Sequence, residues 1–144
     1  MSSKGQVIVD KNISSRKTLE KALRINLDEK KYGTIVEIGA GQEVARQFFR
    51  TGAAAGTIAK TMSAYDMKFS DAIYGVQTDG RYVSRSRVNA MLEKEFSLIL
   101  ERVGKSRSRT SRYFSYAATV AAKSYKANNE CHAWCGIRVQ MYPG

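Results

Sequence analysis

The sequence predicts an α/β fold of the α+β kind. It should be a single domain with a mixed sheet, an antiparallel C-terminal hairpin and at least three helices. Three observations carry this. The run Thr34-Ile35-Val36-Glu37-Ile38 reads as a buried strand and ends in Gly39-Ala40-Gly41. Val88, Met91, Leu92, Phe96, Ile99 and Val103 recur at spacings of three and four, the period of an amphipathic helix. The last segment alternates, with Cys131, Ala133, Cys135, Ile137, Val139 and Met141 on the side expected to face inward. The full 144 residues suit one core, with no linker between two cores and no repeat.

The elements follow in order. Gln6-Val7-Ile8-Val9 is short and β-like, an edge-strand candidate. Ser14-Ser15 offer an N-cap for a helix running to about Asn26, with Leu19, Ala22 and Leu23 on one face. After the strand at 34–38, a second helix passes through Val44, Ala45, Phe48 and Phe49 and stops near Thr51-Gly52. Thr57 to Tyr65 reads as a strand, because Ile58, Met62 and Ala64 alternate with polar residues. Past Asp66 the pattern is loop-like, through Gly75 and the turn Asp79-Gly80. Ser84 or Ser86 caps the long helix, and Gly104 ends it. Tyr113 to Tyr125 reads as a strand with Phe114, Tyr116, Ala118, Val120 and Ala122 on one face.

Charge narrows the partners. Lys and Arg number 24 against 13 Asp and Glu, a net charge of +11, which favours polyanions or phosphorylated ligands. Nine basic and three acidic residues lie between Arg81 and Arg112, so about half the surplus sits there. Lys105-Ser106-Arg107-Ser108-Arg109-Thr110-Ser111-Arg112 alternates cations with hydroxyl residues that can also meet phosphate. No apolar run reaches the roughly 20 residues of a membrane span. No apolar leader follows Met1, and two cysteines suit reduced thiols, so a cytoplasmic location is expected.

Two sites are expected from these features. Glycines at a strand-to-helix turn let backbone N–H groups approach an anion or nucleotide. Gly39, Gly41, Gly52 and Gly56 are therefore candidate ligand-binding positions, with Asp66 as the acid for ribose hydroxyls. That segment looks like the first motif of S-adenosylmethionine-dependent methyltransferases, though it lacks a third glycine at the fingerprint spacing. Arg85, Arg87, Arg107, Arg109 and Arg112 are the candidate anion or nucleic-acid contacts. Cations at a helix N-terminus, as Arg85 and Arg87 are, oppose the helix dipole unless an anion offsets them. No metal is predicted: Cys131 and Cys135 would stand about 13 Å apart on a strand, and His132, the only histidine, faces the other way. The cofactor is left open as a nucleotide-like ligand, and no catalytic set is identified.

The runs EIGAGQEVARQFFRTGAAAGTIAKTMSAYD and FSDAIYG, with the later NNECHAWCGIRVQ, resemble the N-terminal part of an uncharacterised bacterial family. Its members are longer cytoplasmic proteins, often labelled nicotinate-nucleotide adenylyltransferase or TonB-dependent receptor. The resemblance implies that residues 1–144 are the opening portion of a larger protein. It supplies no catalytic residues. A nucleotidyltransferase of that class carries His-x-Gly-His, whereas the histidine here stands in Cys-His-Ala-Trp.

The leading expectation is a binding domain for a nucleotide-like or phosphorylated small ligand. The alternatives are a basic nucleic-acid-binding module using residues 81–112, or a structural piece that self-associates through the open edge of the final hairpin.

Overall fold

The structure, a computed structural model, describes residues 11–126, 128 and 130–143. The segment Gln6 to Val9 lies outside the described residues. Helix α1 spans Lys11–Asn26, strand β1 Lys31–Gly39 and helix α2 Val44–Thr51. A short 3-10 turn at Ala54–Gly56 leads into β2, Ile58–Ala64. Helices α3 (Met67–Tyr74) and α4 (Arg85–Val103) precede β3 (Arg112–Val120) and β4 (Ala133–Val139).

The sheet is mixed, in the order β2-β1-β3-β4. β1 lies between β2 and β3 and is parallel to both, while β3 and β4 form an antiparallel pair. Residues 33–39 of β1 are all buried, as a central strand with helices on its faces requires.

Helix α4 covers one face. Val88, Met91, Leu92, Phe96 and Ile99 are buried on it, as the three-and-four spacing predicts. Each is worth about 2 kcal/mol of transfer free energy. They pack in two groups, one with Val36, Ile38 and Ala117, the other with Tyr113. Ser84 caps the helix by accepting from the Arg87 N–H at 3.2 Å.

Four sequence expectations need correcting. Helix α1 starts at Lys11, so Ser14 and Ser15 lie inside it; serine costs only a fraction of a kcal/mol there. Residues 67–74 are a helix, α3, because Asp66 caps it by accepting from the Phe69 N–H at 2.9 Å. β3 ends at Val120 rather than at Tyr125, and its more buried side is that of Tyr113, Ser115, Ala117 and Thr119. The reason is close approach by α4, where Ser115 Oγ donates to Leu92 O at 3.2 Å. The fourth correction concerns β4. Its turn toward α4 is made by Gly136, where an added Cβ would lie 2.9 Å from Leu92 and 3.0 Å from Val88. The apolar set Cys135, Ile137, Val139 and Met141 consequently faces away and is exposed.

Helices α1 and α2 lie on the opposite face. Ile25, Val44 and Phe48 share a cavity of about 340 Å³ with Ile35, Phe114, Tyr116, Ile137 and Val139.

Candidate functional site

Parallel strands place loops from both crossovers at their carboxyl ends. The chain leaves β1 for β2 on one side and later enters β3 on the other, so the strand order turns back at β1. Outside that point a crevice forms, which is where open α/β sheets bind ligands. Here it is a cavity of about 230 Å³ between Ile38-Gly39, Tyr65-Asp66, Ser70, Tyr82 and Thr119-Val120.

Two polar groups close its walls. Thr119 Oγ1 donates to Tyr82 O at 2.9 Å and ties β3 to the loop before α4. Tyr82 Oη donates to Asp71 Oδ2 at 3.0 Å, and that hydrogen bond to a carboxylate raises the tyrosine's pKa above its ordinary value. Ser70 differs from both. It is 1% exposed, and its Oγ has no hydrogen-bond partner among the described residues. A buried hydroxyl left unpaired costs about 1–3 kcal/mol.

The glycine turn is a point of close packing, and Gly39 also lines the crevice. The α2 N-terminus, where a phosphate was expected, is already occupied by Glu37. Its carboxylate accepts from Val44 N at 2.9 Å and Ala45 N at 3.3 Å, and the residue is 3% exposed. An internal carboxylate thus fills the anion position that the helix dipole favours. Gly39 sits at φ +86°, and any Cβ there would run into the Val120 carbonyl. At Gly41 a Cβ would lie 2.6 Å from Val120 Cγ2. Both glycines let the β1–α2 turn pass beside the end of β3.

The remaining expected ligand residues do not converge. Asp66 borders the crevice beside Gly39, with one carboxylate oxygen capping α3. Gly52 and Gly56 lie at the other end of the sheet, since Thr57 O accepts from Gly33 N at 2.8 Å near the start of β1. Six residues of strand, about 20 Å, separate that point from Gly39.

The arginines also divide. Arg85 is exposed at the start of α4, on the crevice side. Arg87 is buried and held: it forms an ion pair with Asp71, donates to Gly75 O at 2.8 Å and stacks 5.5 Å from the Tyr82 ring. A cation so engaged holds the crevice wall. Arg107, Arg109 and Arg112 belong to the amino end, one α4 length away, about 28 Å for 19 residues. Arg112 N donates to Lys30 O at 2.6 Å, which fixes that loop against the start of β1.

Sequence reasoning missed Ser70 because it read residues 67–74 as loop, and Tyr82 and Thr119 because they meet only across 37 residues of chain. The usable signal was Asp66 as an N-cap, with Ser70 and Tyr74 four apart on the buried side of the helix.

No protein-family model matches the sequence, and no curated protein matches it either. Among the described residues no helix is long and apolar enough to cross a membrane. The fold is similar to that of the competence/damage inducible protein CihA from Agrobacterium tumefaciens, with a TM-score of 0.51. The likeness covers 71% of this chain and 59% of that one at 20% identity, and so speaks to the fold alone.

Proposed function

We propose that the chain is a binding domain for a nucleotide-like small ligand, seated at the carboxyl ends of β1, β2 and β3. The observation that carries this is the Ser70 hydroxyl, buried and unpartnered on the wall of the switch-point crevice. A ligand acceptor within its reach would relieve the desolvation cost of that hydroxyl. About 230 Å³ suits a nucleobase or a ribose, and Asp66 stands at the rim for ribose hydroxyls. Glu37 fills the α2 N-terminus and Asp71 engages Arg87, and among the described residues no Lys or Arg lines the crevice. The uncharged portion of the ligand therefore enters, and any phosphate points outward toward the side of Arg85.

A thermal-shift panel of nucleosides, mononucleotides, NAD and S-adenosylmethionine tests this. A ligand at about 100 times its Kd adds about 2.7 kcal/mol, several degrees for a domain of this size. Ser70→Ala should leave the free protein as stable or more so, and weaken the hit about tenfold. Unchanged affinity in Ser70→Ala and in the crevice-filling Ser70→Leu overturns the reading.

A further inference from the structure

The amino end of the sheet carries a second feature, independent of the crevice. After α4, the loop at residues 104–111 turns across the edge and is pinned there. Arg107 stacks 3.7 Å over the Tyr32 ring and donates to Glu29 O at 3.5 Å. Beside the loop lies an open groove of about 620 Å³. Among the described residues its lining includes Lys105, Arg107, Arg109 and Arg138 and no carboxylate. Arg138 reaches it from β4 by lying over Phe96 at 4.5 Å, so cations from two separated segments converge on one surface.

Hydroxyl groups are interleaved with these charges. Ser108 and Ser111 line the same groove, and Ser108 Oγ lies 2.9 Å from Thr110 Oγ1. Arginine, lysine and serine side chains together are the usual donors to a nucleic-acid backbone. An aromatic lies at the same edge. Gln140 N donates to Tyr113 O at 2.9 Å, and Tyr142 two residues on is 81% exposed. Gln140 lines the groove, and Tyr142 follows it by two residues along the chain. An exposed ring close to cations is how single-strand binders supply base stacking.

From this we propose that the amino-end groove binds single-stranded nucleic acid, its backbone on Lys105, Arg107, Arg109 and Arg138 and a base on Tyr142. The partner is extended because the cations are distributed along a groove. It is single-stranded because an unpaired base is needed to reach Tyr142. A net charge of +11 assists the encounter, but the carboxylate-free groove localises it.

The test is fluorescence anisotropy with a fluorescein-labelled oligothymidylate of 20 nucleotides, across a salt series. Three or four backbone contacts give a log–log salt slope of about −2 to −3. Lys105→Glu with Arg109→Glu should weaken binding at least tenfold. The matched reversal Arg46→Glu with Lys68→Glu, both exposed and on α2 and α3, should change it less than threefold. Tyr142→Ala should weaken binding several-fold with an unchanged salt slope. All four charged positions are exposed, and far-UV circular dichroism confirms folding. Equal losses in the two reversals, a flat salt response, or equal competition by polyglutamate of the same charge would overturn the assignment. Tighter binding of a 20-base-pair duplex would overturn its single-strand part.

Discussion

The two ends of this sheet solve opposite electrostatic problems. At the carboxyl end, charges are consumed internally: Glu37 sits on the α2 N-terminus, Asp66 on the α3 N-terminus, and Asp71 on Arg87. At the amino end, Lys105, Arg109 and Arg138 project onto a shared groove that no carboxylate lines among the described residues. A helix N-terminus attracts an anion, and at α2 and α3 the anion is a side chain of the preceding strand or loop. Glycine turns and basic runs therefore carry different weight once their neighbours are known. The first is packing, and the second is free surface.

The largest effect that would break this contrast is at Arg87. Arg87→Met keeps the stem but strands Asp71 and the Gly75 carbonyl, and should cost about 3–4 kcal/mol in urea unfolding. A stable variant with lost ligand affinity would instead make Arg87 a ligand cation. Next comes Gly39→Ala. Positive φ and the Val120 carbonyl act together there, for a loss of about 3 kcal/mol. Gly41→Ala meets the Val120 side chain rather than its backbone, at a negative φ, and should cost less, about 1–2 kcal/mol. Equal losses at the two positions would contradict the close approach of β3.

Glu37→Ala removes the internal anion and should cost about 2 kcal/mol. Millimolar phosphate should stabilise that variant more than the parent, because the α2 N–H groups become available. If phosphate stabilises both alike, Glu37 is not the occupant of that site.

The smallest effect is alkaline. Burial, helped by Cys135 and Glu37, pushes Tyr116 up to about 12 from 10.0. A raised tyrosine pKa means the fold favours the neutral phenol, so its contribution is complete below pH about 10 and is lost as the pH rises toward 12. Tyr116→Phe should flatten the decline in stability across that window, measured by chemical denaturation at several pH values. An unaltered decline would show that Tyr116 is not its source.

Much of the architecture was legible residue by residue. The α4 stripe, the β1 run and the stop at Gly52, where φ is +81°, are local signals whose physics lies within one element. The chemistry of the crevice was far less legible. Asp66 was readable as an acid near a glycine turn, but its role depends on the Phe69 N–H three residues later. Ser70 carried no signal of its own, because its burial is set by its place on the wall between α3 and the strand ends.

Local periodicity, caps and turn residues thus specified an α/β chain with a terminal antiparallel pair, because backbone hydrogen bonding and side-chain spacing act over a few residues. Which side of β4 would meet α4 lay beyond them. Alternation marks two faces without saying which is covered, and Gly136 decided it by letting Leu92 and Val88 approach. The separation of Arg85 from Arg107 follows from the long helix that the Ser84 cap and the Gly104 stop mark, whereas the burial of Arg87 on Asp71 was also hidden. Long-range packing set those outcomes, because burial and ion pairing depend on neighbours that no short window of residues contains.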